Sequence, residues 1–450
     1  MGHLFGVDGI RDIALSGLTC ERALQVGKAL TFTLINEGET EPKILIAKDT
    51  RSTCDIYESA LIAGICSAGG SVVSLGVLPS AAVAFLTVKY GASAGISITA
   101  SQSTFEYNGL TIYSKYGYRI SEQTELEIED LVLNHGEEIQ LAEPQKVGTV
   151  SFEKNAEWDY VRYLLKNIDT SVNRLKIVVD AVNGAAFTIA EKFFKGLGAN
   201  VLMYGVNPDG TNINSTSLED LAKAVTVFRA HAGVYLNGDG TSCVLVDEKG
   251  NIINGDAITA ILALAMKNEE KLNANTCVVN HVTNLGFFRW AKENGIVVST
   301  APKIGNRYVS DRMLSDGYNL GGDQSGYVVL SDASYIADGC LTAAKVFEVM
   351  VKNNKRLSEL AEVFTPYPQL VVNVELRPES RDKWSQVSEV NEMIAYCQRR
   401  LDGDGRILVR ESGSEPLIQV MVEGRDEEAI YQYAHAIAKV VKEFLGVSEE

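Results

Sequence analysis

Lys176-Ile177-Val178-Val179-Asp180 leads through a helical stretch around Ile189 to Phe194, then Gly196-Leu197-Gly198, into a second apolar run from Asn200 to Tyr204. A short apolar run, an amphipathic segment, glycine and another apolar run read as a strand, a crossover helix and a parallel strand. The same order stands on either side of it. Ile44 to Ala47 leads through Ala60 to Ala68 and Gly69-Gly70 into Val72 to Leu75, and Cys277-Val278-Val279-Asn280 leads through Phe287 to Glu293 and Gly295 into Ile296 to Ser299. Glycine after each helix supplies the left-handed cap from which the chain turns back. Because it closes a helix instead of opening one, Gly196-Leu197-Gly198 is no dinucleotide fingerprint.

Three such crossovers, about a domain length apart, predict three mixed α/β domains with mostly parallel strands and right-handed connections. The C-terminal part reads differently: strands at Leu370 to Leu376, Arg406 to Arg410 and Ile418 to Val422, then an amphipathic helix from Asp426 to Leu445, an α+β layout. The expected domains are therefore 1–150, 151–253, 254–366 and 367–450. A chain of 450 residues also exceeds what one core usually supports.

Acidic residues outnumber basic ones by 58 to 41, for a formal net charge of -17, and no long basic run exists. Nucleic acid and anionic membrane are thereby disfavoured as partners, and an anionic ligand would need a local basic pocket. The seven cysteines are scattered without a C-x-x-C pair, which points to neither disulfides nor zinc and suits a reducing cytoplasm. The five histidines show no metal-ligand spacing. Met1 to Gly6 lacks the charged and apolar regions of a signal peptide, and no apolar stretch is long enough to span a bilayer. A soluble, cytoplasmic protein is expected.

Several motifs, in order along the chain, carry a resemblance. Phe5-Gly6-Val7-Asp8-Gly9-Ile10-Arg11 and Asp49-Thr50-Arg51 resemble the F-G-T-D-G-I-R and D-T-R of the phosphohexomutases. Asn207 to Asn214 (NPDGTNIN) and Val246 to Ile253 (VDEKGNII) look specifically like the phosphoglucosamine mutase branch. The resemblance implies four domains around one central cleft, contributing in turn a phosphoserine, a magnesium loop, a sugar loop and a phosphate loop. It also implies Arg11 in the cleft.

Thr99-Ala100-Ser101-Gln102-Ser103-Thr104 stands where the family reads S-A-S-H-N-P, which puts Ser101 on the phosphoserine. Such a serine donates its phosphate to one sugar hydroxyl and reclaims it from the other. The family's lysine beside it is Thr111 here, a hydroxyl that does not titrate usefully near neutrality. Asn237-Gly238-Asp239-Gly240-Thr241-Ser242 replaces D-G-D-G-D-R. The family's magnesium ligands thus fall on Ser101, Asn237, Asp239 and Thr241, with one carboxylate in place of three. Because Mg2+ is a hard cation that takes oxygen ligands, a weak or absent magnesium site is expected, and a plain turn between strands is the alternative.

Gly321-Gly322-Asp323-Gln324-Ser325-Gly326 nearly matches the sugar loop G-G-E-Q-S-G, so Asp323, Gln324 and Ser325 are candidate sugar contacts. Upstream, Gly305-Asn306-Arg307-Tyr308 stands for the branch's G-D-R-Y. Arg410-Glu411-Ser412-Gly413-Ser414-Glu415-Pro416-Leu417-Ile418-Gln419 follows R-x-S-G-T-E-P-x-I-R, making Arg410, Ser412, Gly413, Ser414 and Gln419 candidate phosphate contacts by charge-assisted and backbone hydrogen bonds. Asp402-Gly403-Asp404-Gly405 has the letters of a metal loop and reads as a turn.

The positions that would supply proton transfer and metal are altered, whereas those that would grip sugar and phosphate are largely kept. The expectation is a phosphohexomutase-like protein that binds a hexose phosphate with mutase catalysis weak or lost, a pseudoenzyme or regulatory paralog. The alternative is an active isomerase interconverting glucosamine 6-phosphate and glucosamine 1-phosphate through phospho-Ser101. A different phosphosugar reaction using Asp239, Asp323 and Cys243 is a third. By analogy alone, the resemblance implies a homodimer and a regulatory protein partner.

Overall fold

The computed structural model describes residues 4–377, 380, 383–411 and 417–447. They form two compact units, one of residues 1–282 and 294–363, the other of residues 283–293 and 364–450.

The first unit holds three sheets. Six strands, β1 (Ile10–Ile13), β2 (Lys43–Lys48), β3 (Ser71–Val77), β4 (Ala94–Ile98), β5 (Tyr107–Ser114) and β6 (Val150–Phe152), lie in the order β1-β5-β4-β2-β3-β6. Five more, β7 (Lys176–Asp180), β8 (Asn200–Tyr204), β9 (Ala232–Leu236), β10 (Cys243–Asp247) and β11 (Ile252–Ile253), are ordered β11-β10-β9-β7-β8. The third sheet is β13-β12-β14-β15, from β12 (Thr276–Val279), β13 (Val297–Thr300), β14 (Leu320–Gly322) and β15 (Val328–Leu330).

One pattern underlies all three. A buried first strand (β2, β7 or β12) pairs in parallel with the second and third strands on its two sides. The third strand then turns back into an antiparallel fourth: β4 to β5, β9 to β10, β14 to β15. Ile44 to Ala47 and Ile177 to Asp180 are buried, as strands covered on both faces by helices must be. The glycines read as helix caps adopt the expected left-handed backbone, with φ of 96° at Gly69, 89° at Gly198 and 60° at Gly295.

The repeat positions the site. The turns joining third strand to fourth span residues 99–106, 237–242 and 323–327, the serine, metal and sugar loops of the sequence. Each lies at the carboxyl end of a parallel strand, where open α/β sheets place their ligands.

In the second unit, β16 (Gln369–Glu375), β17 (Gly405–Glu411) and β18 (Leu417–Gly424) form an antiparallel sheet ordered β16-β18-β17. Helix Glu427–Leu445, capped by the Asp426 carboxylate, buries Ile430, Ile437 and Val441 with Ile418, Val420 and Val422 of the sheet. Helix Leu285–Glu293, read as part of the third crossover, belongs to this unit. Phe287 and Trp290 stand with ring centroids 6.0 and 6.4 Å from Phe364, and the Leu285 amide donates to Glu423 Oε1 at 2.8 Å. Asp402-Gly403 is a turn into β17, with φ of 43° and 80°, as read.

Candidate functional site

The serine loop begins where β4 ends. Ser101 has φ 50°, a left-handed conformation that L-residues hold only when their surroundings fix it. Its amide donates to Thr99 Oγ1 at 3.0 Å, and its carbonyl accepts from Asn214 Nδ2 at 2.8 Å. The same amide group also donates to Ser103 O at 2.9 Å. From another side the buried Arg51, ion-paired with Asp49, donates to Ser103 O at 2.5 Å. Thr50 donates to Asn183 O. Arg51, held by Asp49, and Asn214 therefore keep the serine loop in shape, a role their sequence motifs did not disclose.

The metal loop meets the serine side chain through an amide. Asn237 Nδ2 donates to Ser101 Oγ at 3.0 Å and to Thr241 Oγ1 at 3.2 Å. Thr241 Oγ1 in turn donates to Asp239 Oδ1 at 2.7 Å, and Asn237 Oδ1 accepts from the Ser242 amide at 2.9 Å. All four side chains are buried. A Cβ on Gly238 would stand 2.5 Å from Ser101 O, so the two loops touch because this residue has no side chain.

This donor set does not suit magnesium. The ion asks for several well-placed oxygens, carboxylates foremost. Here the amide presents an N–H to the serine while its oxygen is taken by the backbone, and the Thr241 hydroxyl hydrogen-bonds the one carboxylate. Among the described residues no group of three His, Cys, Asp or Glu side chains could hold a metal ion. Thr111, at the family's lysine position, is buried on β5 with its hydroxyl 3.5 Å from Asp8 O. Arg11, on β1, donates from Nε to Asp8 O at 3.3 Å, within its own turn.

The sugar loop packs directly on the metal loop. Gly326 O accepts from the Cys243 amide at 3.1 Å, and Ser242 bridges to Tyr327. Gly326 has φ 89°, and a Cβ there would lie 2.0 Å from Cys243 O. Asp323 Oδ1 accepts from Ser325 Oγ at 2.6 Å and from the amides of Ser325 and Tyr327 at 2.9 and 3.3 Å. Burial pushes Asp323 up to about 6, against these hydrogen bonds, which pull it down. Gln324 uses its carbonyl to accept from Gly255 N at 3.1 Å. A cavity of about 260 Å3 touches all three loops, through Gln102, Asn237 and Ser325. Burial pushes the Cys243 thiol well up, so it stays protonated and is unsuited to nucleophilic attack. Arg307 is a tie within the unit: it pairs with Glu125 and donates to Ile120 O at 2.8 Å.

In the second unit, Arg410 of β17 lies opposite Gln419 of β18. Arg410 is half-buried, its pKa is lowered by burial, and among the described residues it has no carboxylate partner. A desolvated guanidinium beside a carboxamide suits an anion. Ser412, Gly413 and Ser414 lie outside the described residues.

Comparison with known proteins defines the class. The models of phosphoglucomutase/phosphomannomutase α/β/α domain I, α/β/α domain III and the C-terminal domain match residues 2–138, 254–367 and 371–440, and the chain belongs to this phosphohexomutase family. Solved structures share the fold. A phosphoglucomutase/phosphomannomutase family protein from Burkholderia thailandensis aligns with TM-score 0.80 at 20% identity over 99% of both chains. N-acetylphosphoglucosamine mutase of Aspergillus fumigatus, in complex with GlcNAc-6P and magnesium, aligns with TM-score 0.67 at 15% identity over 98% of this chain and 96% of that one.

Within the family the likeness is specific. The phosphoglucosamine mutase of Caldicellulosiruptor bescii is 41% identical over 99% of this chain and 100% of its own length, and that of Clostridioides difficile is 39% identical with the same coverage. The chain is phosphoglucosamine mutase-like throughout its length. Among the described residues, no helix is long and apolar enough to cross a membrane.

Proposed function

We propose that this protein binds a hexose phosphate and that its mutase catalysis is weak or lost. The observation that carries the reading is the Asn237 amide, which donates to both Ser101 Oγ and Thr241 Oγ1. Where the family places three carboxylates for magnesium, this chain closes a hydrogen-bonded network with one carboxylate, Asp239, around its serine. Without the ion and with Thr111 for lysine, Ser101 lacks charge compensation for a phosphoryl group and the base that the family's lysine would supply. Magnesium binding is accordingly weak or absent. Asp323 and Ser325 supply sugar contacts, and Arg410 and Gln419 supply phosphate contacts, with Ser412, Gly413 and Ser414 as the resemblance implies.

The four-part division at 150, 253 and 366 goes with this reading. A cytoplasmic setting draws support from seven unpaired cysteines. A homodimer and a regulatory protein partner rest on the family resemblance alone.

A coupled assay converting glucosamine 6-phosphate to glucosamine 1-phosphate, with magnesium and a bisphosphate primer, tests the reading. Turnover of about 1 per second or more, within the ordinary enzyme range, would refute it. The active-mutase alternative is favoured by full-length identity of 41% to a phosphoglucosamine mutase. Intact mass of the purified protein separates the two, since a phosphate mapped to Ser101 supports the active cycle.

A further inference from the structure

The turn that follows β7 lies outside the motifs read from the sequence, yet its backbone is strained. Val182 and Asn183 stand one after the other in the left-handed region, with φ of 47° and 55°. Asparagine tolerates this conformation. For a β-branched valine it is a genuine outlier, and it persists only where the surroundings over-determine it. Val182 is fully buried, and its amide donates to Asp180 Oδ1 at 2.8 Å. The Asn183 amide donates to Gly205 O and the Gly184 amide to Ala181 O, both at 2.7 Å.

The segments that shape the serine loop converge on this turn. The Asn183 side chain closes the loop of residues 207–214: its Oδ1 accepts from the Asn207 amide at 3.0 Å, and its Nδ2 donates to Asn212 O at 3.2 Å. Val182 O accepts from the amide of Asn214 at 2.9 Å, and the Asn214 side chain holds Ser101 O and Ser103 O. Asn183 O accepts from the Thr50 hydroxyl, next in the chain to Arg51, which donates to Ser103 O. The Ala185 amide donates to Gly238 O at 2.7 Å, and a Cβ on Gly184 would stand 2.5 Å from the same oxygen. The metal loop therefore rests on the turn as well, and its Gly238 lies against Ser101 O. Three routes run from one over-determined turn to the serine loop, and such a second layer of fixed groups is what holds a site to its working geometry.

We infer that Asn183 is a positioning residue: its side chain fixes the loop of residues 207–214 on the strained turn and, through Asn214, sets the serine loop for its ligand. The inference deepens the hexose-phosphate reading above and rests on it where affinity is concerned, whereas the setting of the loop is measured without ligand.

Asn183→Gly separates the side chain from the backbone, because glycine takes the left-handed conformation without steric cost. Hydrogen exchange of the full-length protein, read by mass spectrometry, compares wild type, Asn183→Gly, Asn214→Ala and the double variant. Asn183→Gly should speed exchange in residues 99–106 and 207–214 by about fivefold or more, the size expected for losing buried hydrogen bonds, with β7 exchanging as in wild type. In residues 99–106 the double variant should exchange within about twofold of Asn214→Ala, since Asn183 acts through Asn214 and the two effects are not additive. Additive effects, or a rise shared equally by β7, would overturn the inference and leave Asn183 a general structural residue. If Asn183→Gly does not fold, Asn183→Asp, which tolerates the same backbone and loses only the donor to Asn212 O, must show the same localised rise. Calorimetry supplies the second readout: Asn183→Gly should weaken glucosamine 6-phosphate binding by about threefold or more, as loss of preorganisation does, and equal affinities would also overturn the inference. Absence of binding by the wild type at millimolar concentration would refute the hexose-phosphate reading, and the exchange comparison then decides the inference by itself.

Discussion

Asn237→Asp restores a family carboxylate, and the network around it allows the consequence to be worked out. The amide donates two hydrogen bonds, at 3.0 and 3.2 Å, from a side chain in a residue that is 8% exposed. Ser101 can turn its own proton toward a new carboxylate, so that contact survives with donor and acceptor exchanged. Thr241 cannot do so without leaving Asp239, to which it is bonded at 2.7 Å. One buried contact is therefore lost, worth about 1 kcal/mol. The new carboxylate and Asp239, linked through Thr241 Oγ1 by contacts of 3.2 and 2.7 Å, lie within about 6 Å and repel by about 3 kcal/mol at an effective dielectric of about 20. Partial protonation of the pair offsets some of this, and a net destabilisation of about 3 kcal/mol at pH 8 is expected. The introduced carboxylate has its folded pKa raised, so the penalty is present above that pKa and shrinks as the pH falls through it. Urea melts followed by circular dichroism at pH 8 and pH 5, in EDTA, measure the effect, with Asn237→Ser as the uncharged control. A change within about 0.5 kcal/mol of wild type at pH 8, the range of an inconsequential surface substitution, would show that the amide does not close the site and would refute the reasoning.

Asp323, raised to about 6 by burial, destabilises the fold where it is ionised, so stability should rise as the pH falls from 7 toward 4. Asp338 is raised to about 6 as well, so the diagnostic is the difference from Asp323→Asn, whose melts should be less pH-dependent by about 2 kcal/mol over that window; identical slopes would contradict it. Asn214→Ala removes two bonds to the serine loop and should cost about 2 kcal/mol while speeding hydrogen exchange in residues 99–106, and unchanged exchange there would deny Asn214 its positioning role. Arg410→Ala should weaken hexose-phosphate binding by about 1.5–3 kcal/mol, the range for a charge-assisted contact, as read by calorimetry. Restoring Gln102→His, Thr111→Lys, Asn237→Asp, Thr241→Asp and Ser242→Arg together should raise magnesium-dependent mutase activity far beyond the product of the five single effects, because groups acting as one catalytic unit are strongly non-additive; a single reversion giving most of the gain would refute this.

Much of the fold was legible because its parallel strands are short apolar runs, the first of each repeat buried on both faces. Lys176–Asp180 and Asn200–Tyr204 stand where the apolar runs put them, and the Asp426-capped helix runs to Leu445. The fourth, antiparallel strand of each repeat was not recognised as part of it. Tyr107–Ser114 and Cys243–Asp247 follow loops of different length and letters, and the common element is a turn at a strand end, which leaves no periodicity to find. Helix Leu285–Glu293 was read correctly as a helix. What its Phe287 and Trp290 face would meet was not readable, since Phe364 lies far along the chain.

At the site, the motif letters identified which groups were replaced but not what the replacements do together. Asn237 and Thr241 read singly as lost ligands, two missing charges in a degenerate loop. In three dimensions they compensate one another: the amide supplies the proton that Ser101 Oγ accepts, and the threonine hydroxyl bonds the one remaining carboxylate. The serine loop needs a donor from a residue 113 positions away, and no local rule connects Asn214 to Ser101. A random loss of ligands would leave buried carboxylates or hydroxyls unpaired, each costing about 1–3 kcal/mol. Here Asp239, Asn237 and Thr241 are bonded, and the metal-loop hydroxyl left without a partner is Ser242, on the wall of the cavity. Asn237 and Thr241 therefore act as one bonded pair with Asp239, and changing either alone leaves a buried polar group of its partner unpaired at about that cost.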